Sequence, residues 1–211
     1  MNGKHTAASY LPSLRPRPKP SWQRRLGGFA REIRRFANGI RLIRDYEAIR
    51  LAFAQMNMTF RNSAKQFEAW YLFEIVFVVS MVADICASEY GEDEMGEMSQ
   101  PDKADVLHFP TGGGKTEAFL GCVVFTLFFD RIRGKLDGVS AIIKYPLRLL
   151  SIQQVERIGV ILAEAELIRR DCAITEGGKP FGLGYFVGEA NTPNRIEPEW
   201  QDVSGTPHRR L

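Results

Sequence analysis

The chain has 211 residues, 45% of them hydrophobic and 25% charged, with a net charge of +3. That length accommodates one full domain with an appendage, and the composition is that of a globular protein, not of a disordered or fibrous one. Three separated cysteines (Cys86, Cys122, Cys172) and three scattered histidines (His5, His108, His208) offer neither a disulfide framework nor a zinc site, so a reducing cytoplasm is the expected setting. Residues 1–21 interleave Pro12, Pro16, Pro18 and Pro20 with Arg15, Arg17 and Lys19, the composition of an extended basic leader without packed structure. No apolar stretch follows within the first thirty residues, so a secretory signal is not expected.

Residues 22–102 read as a helical region. Ile33, Phe36, Ile40, Ile43 and Tyr46 recur at spacings of three and four, with arginines between them, which predicts amphipathic helices with a basic outer face. In the first fifty residues twelve basic side chains stand against three acidic ones, a local charge of +9 that leaves −6 for the rest of the chain. A basic arm ahead of a mildly acidic domain fits contact with a polyanion, and equally a solvated helix face. The stretch from Ala69 to Ala87 is nearly long enough to span a bilayer, but Glu74 and Asp84 interrupt it. A helix buried inside a protein domain is expected there, with no membrane partner. Gly91 to Asp102 is acidic and carries Gly, Ser and Pro, as a linker does.

Residues 103–211 carry the alternating pattern of an α/β domain. Strands are predicted at Asp105–Phe109, Val139–Tyr145 and Leu183–Val187, and helices at Gly114–Arg133 and from Leu147 to about Arg170. Such an order implies βαβ units and a parallel sheet with flanking helices. Between the first strand and first helix runs Phe109-Pro110-Thr111-Gly112-Gly113-Gly114-Lys115-Thr116. Glycines leave consecutive backbone N–H groups free to face phosphate oxygens, where a β-carbon would obstruct. The helix that follows adds its positive end. Pro110, Thr111, Gly112, Gly113, Gly114, Lys115 and Thr116 are therefore the candidate ATP-binding residues. Lys115 supplies charge to the β- and γ-phosphates, and the Thr116 hydroxyl is the candidate Mg²⁺ ligand.

Phe109 stands where the general phosphate-loop pattern has glycine, and the form Pro-Thr-Gly-x-Gly-Lys-Thr resembles that of superfamily 2 helicases. A second segment strengthens the resemblance. Pro146-Leu147-Arg148-Leu149-Leu150-Ser151-Ile152-Gln153 resembles the Pro-Thr-Arg-x-Leu-x-x-Gln of the first RecA-like domain in that superfamily, with Leu147 in place of Thr. The resemblance implies a partial RecA-like fold in which Arg148 and Gln153 meet DNA. Arg148 and a helix N-terminus can grip phosphates without reading bases. Thr192-Pro193-Asn194-Arg195 echoes a Thr-Pro-Gly-Arg motif whose Thr touches the nucleic-acid backbone. It lacks the Gly, and an ordinary turn accounts for Pro193 and Asn194 better. Gln66 stands where some relatives carry an upstream adenine-reading glutamine, but a surface helix residue accounts for it better.

Segments 109–121, 146–154 and 185–194 together resemble the DrmA-like helicase component of DISARM anti-phage defence systems. The resemblance implies an ATP-dependent DNA helicase or translocase with other defence-system subunits as partners. Hydrolysis in such enzymes uses an Asp-Glu pair on a later strand, the Asp for Mg²⁺ and the Glu for the attacking water. No such pair follows Lys115, and Glu92-Asp93-Glu94 precede the loop. The expectation is an N-terminal portion that binds Mg·ATP without turning it over, lacking the second RecA-like domain and its arginines. Two alternatives stay open: one half of a split protein completed by a partner chain, and a P-loop enzyme of another class.

Overall fold

The computed structural model describes residues 21–63, 69–96, 99–108, 115–145, 148–173, 175 and 178–185. Its helices are α1 (Ser21–Asp45), α2 (Glu47–Ser63), α3 (Leu72–Tyr90), the single turn α4 (Glu92–Met95), α5 (Lys115–Ile132) and α6 (Arg148–Asp171). α1 runs almost directly into α2, since the N–H of Tyr46 still bonds Leu42 at 2.9 Å and that of Arg50 bonds Tyr46 at 3.0 Å.

α2 is the centre of the bundle. Ile49, Ala52, Met56, Thr59 and Phe60 recur at three- and four-residue spacing and are buried, so one stripe of α2 serves as the floor for both α5 and α6. α5 contributes Leu120, Val124, Phe125, Phe128 and Phe129 to that floor, and α6 contributes Ile158, Ile161, Leu162, Ala165 and Ile168. The apolar stretch from Ala69 onward forms α3, a helix inserted between α1 and α5, with Val78, Val79, Val82, Ala83 and Cys86 buried. It is a core helix of a packed bundle, as its two acids imply. No helix among the described residues is long and apolar enough to cross a membrane.

The inward face of α1 differs from the apolar stripe read in the sequence. Ile33 and Ile40 are exposed, whereas Arg35, Gly39 and Leu42 are buried. Two contacts with α3 set this rotation. A β-carbon at Gly39 would lie 2.0 Å from the carbonyl oxygen of Val79, so only glycine admits the approach. One turn earlier, Arg35 donates to Asp84 of α3 at 2.6 Å. The close backbone approach and the Arg35–Asp84 pair together fix α1 in this rotation, with Ile33 and Ile40 left facing outward.

The predicted parallel sheet is overturned. The helices expected at Gly114–Arg133 and from Leu147 are α5 and α6, but the described residues contain no strand. Asp105–His108, Val139–Tyr145 and Leu183–Tyr185 are irregular, and residues 109 and 186–187 of the predicted strands fall outside the described ones. Apolar runs of this kind make strands only where a neighbour satisfies their backbone and a layer covers their side chains. Here the faces of α5 that a sheet would cover are taken by α2 and α3, and Val106, Val139 and Ile142 are 89%, 72% and 88% exposed. The α/β reading therefore fails: the described part is helical.

Candidate functional site

Lys115 and Thr116 are the first two residues of α5, both half-buried, at the positive end of an eighteen-residue helix. The loop residues Pro110, Thr111, Gly112, Gly113 and Gly114 lie outside the described residues, as do Gln66 and Thr192. α5 is held firmly behind its first turn. Ala118 and Leu120 are buried, and a β-carbon at Gly121 would come within 2.9 Å of the Val78 side chain of α3. Phe119 adds an edge-on contact with Phe77, ring centroids 5.5 Å apart.

Arg148 opens α6 and Gln153 follows in its second turn; their backbone is described, their side chains are not. Further along, Arg157 of α6 forms an ion pair with Glu117, the residue after Thr116. Neither residue stands out in the sequence. A charged pair 40 residues apart is visible only once α5 and α6 lie side by side. Glu74, in the first turn of α3, is 1% exposed and accepts the N–H of Tyr71 at 2.8 Å. Burial pushes its carboxyl above the ordinary range, opposed by the Tyr71 hydrogen bond and by the charge of Arg157. Arg157 thus lies in the field of two acids, one from α3 and one from α5.

The segment leading to the loop is tied down as well. Arg35 Nη1 donates to Asp105 at 2.6 Å while Nη2 reaches Asp84 at 2.6 Å and the second Asp105 oxygen at 3.0 Å. The Asp105 hydrogen bond is the main influence raising the guanidinium pKa, against the cost of burial. Asp84 also accepts from Ser99 Oγ at 3.3 Å. One cation therefore joins α1, α3 and the residues that precede the glycine-rich motif in the sequence.

On the far side of α5 and α6 lies an open trough of about 900 Å³, with Val123, Leu127, Ile158, Leu162 and Phe181 in its walls and the 139–145 segment along its edge. Its end is fixed by Phe181, whose ring lies 5.3 Å from the Arg131 guanidinium and 5.8 Å from that of Arg169. Glu166 accepts from Arg169 at 2.7 Å and from the N–H of Phe181 at 3.0 Å. Arg169 chiefly, with Phe181 N–H and Arg170, lowers the Glu166 carboxyl to about 2 against its burial. Among the described residues no group of three or more His, Cys, Asp or Glu side chains could hold a metal ion.

Chemically, the first turn of α5 brings together a lysine, a threonine hydroxyl and the positive end of the helix. The nearby acid Glu117 is already paired. This donor set fits a Mg²⁺-bound triphosphate.

Comparison with known proteins gives one informative relative. The chain is 36% identical over 100 residues to the DISARM protein DrmA of Bacillus paralicheniformis, a match that covers 44% of this chain and 9% of the relative. The chain thus corresponds to only a small part of that protein's length. No family model matches the chain, and no solved structure does. Over the matched region this protein is similar to DrmA.

Proposed function

We propose that this chain is the ATP-binding portion of a DNA helicase or translocase acting in anti-phage defence. In this reading residues 110–116 bind Mg·ATP. Lys115 neutralises the β- and γ-phosphates, Thr116 coordinates Mg²⁺, and Arg148 and Gln153 at the start of α6 contact DNA phosphates. The bound metal would draw electron density from the phosphates; the chain's own residues bind and orient them. The supporting observation is the start of α5, where Lys115 and Thr116 stand at a helix N-terminus fixed from behind by Gly121 and Val78. The similarity to DrmA supports the defence role.

Equilibrium titration with a fluorescent ATP analogue and Mg²⁺ tests the reading. Saturable binding that Lys115→Ala abolishes is the expected result. Binding that is absent, or indifferent to Lys115→Ala, would falsify it.

A second reading, in which a further polypeptide completes the protein, is favoured by the open trough beside the exposed Val139 and Ile142. Val139 and Ile142 are large apolar side chains left uncovered beside this trough, a surface that a second chain can cover. Mixing the protein with the product of the adjacent reading frame should give a 1:1 complex in which the amides of 139–145 exchange more slowly. No complex at micromolar concentration counts against this second reading.

A further inference from the structure

Glu117 is a difficult residue for an anion-binding turn. It lies two positions past Lys115, about 3 Å further along the helix axis, so its carboxylate shares the first turn of α5 with the groups that would meet phosphate. An unpaired carboxylate there would offset the charge of Lys115 and compete for Mg²⁺. Arg157 removes that conflict by forming an ion pair with Glu117.

Arg157 also has a mechanical position. α5 and α6 make little direct contact and pack mainly on α2, so the Arg157–Glu117 pair is a polar bridge between two helices otherwise held through a third. One end of that bridge is the first turn of α5. The other is α6, nine residues beyond Arg148 and four beyond Gln153. Nearby, Glu74 is fixed in the first turn of α3, so Arg157 faces acids of two helices and has electrostatic reason to stay where it is.

We infer that Arg157 is a positioning residue of the nucleotide site: it holds and neutralises Glu117 so that the first turn of α5 presents net positive charge to a triphosphate. The inference rests on the reading that Lys115 and Thr116 bind Mg·ATP.

Four variants of the full chain, titrated with the same fluorescent ATP analogue and Mg²⁺ and melted in parallel, test it. Arg157→Gln should weaken binding by roughly three- to tenfold at low salt, and by less at high salt, where exposed charges are screened. Glu117→Gln alone should bind as well as the wild type or better. The double variant Arg157→Gln with Glu117→Gln should return to within about twofold of the wild type, because the carboxylate that Arg157 neutralises is gone. Arg157→Lys, which keeps the charge and loses the planar fork, should fall between wild type and Arg157→Gln.

A merely structural bridge predicts the opposite pattern, a melting temperature that falls with Arg157→Gln and an affinity the second substitution does not restore. Either that pattern or wild-type affinity in Arg157→Gln overturns the inference while leaving the ATP reading intact. Absence of wild-type binding overturns both.

Discussion

Arg35 and Asp105 meet across seventy residues of sequence at 2.6 Å, and through them α1 holds the segment that precedes the glycine-rich motif in the sequence. The Arg35 side chain is 9% exposed and that of its other partner, Asp84, 8%. Removing the cation would leave a buried carboxylate without its counterion. Arg35→Met should therefore lower the unfolding free energy by about 3 kcal/mol, measured by urea denaturation. A loss below about 1 kcal/mol would show that water replaces the guanidinium at Asp84.

The contact between Gly39 and the Val79 carbonyl leaves no room for a methyl group. A backbone oxygen inside a helix cannot turn aside as a side chain can, so Gly39→Ala must push α1 and α3 apart. A cost of about 2–3 kcal/mol is expected in the same denaturation experiment, although alanine is the better helix former. Equal or greater stability in the variant would contradict this packing.

Acid should act on Glu166 in a predictable window. Its carboxyl is lowered from 4.5 to about 2, so its contribution is fully present above pH 4.5 and disappears as pH falls toward 2. After allowance for partial solvent screening, that contribution is about 2 kcal/mol. Glu166→Gln should flatten the stability profile between pH 4.5 and 2. Glu74 has the reverse sign. Burial raises its pKa, so its contribution is greatest below pH 4.5 and declines as pH rises through the folded value. Glu74→Gln should remove that decline, which the same pH series of urea melts would detect.

Substitutions on either side of α5 discriminate the helical architecture from a sheet. Ile142 is almost fully exposed while Phe128 is fully buried. Ile142→Ser should change stability by less than about 0.5 kcal/mol, and Phe128→Ala should cost about 3–5 kcal/mol. A large loss from Ile142→Ser would mean that the 139–145 segment is covered after all.

The parts of the fold that the sequence revealed are those governed by local chemistry. The ends of α5 and α6 fell within about two residues of the expected positions because Gly114, Gly134 and Pro146 punctuate the chain there. α3 was recognisable as a buried helix from Glu74 and Asp84 within an apolar run. That the predicted strands would not form among the described residues was not legible, because an apolar run such as Val139 to Tyr145 states a preference for burial without saying whether anything is available to bury it. The face of α1 was missed for a related reason: Gly39 and Arg35 are chosen by their partners Val79 and Asp84, which lie far away in sequence. The candidate site divides in the same way. Lys115 and Thr116 were found from a contiguous motif, whereas Arg157 and Glu117 required the arrangement of two helices.

The central place of α2 bears on how the chain is made. α1, α2 and α3 leave the ribosome before α5 and α6, so the floor on which both later helices rest is synthesised first. Until α5 arrives, Met56 and Val78 lack the cover that its Gly121 face provides. The helix that carries Lys115 is thus also the piece that quenches a sticky nascent surface. Damage to its apolar side would show up as lost yield in the cell before it appeared in any binding assay.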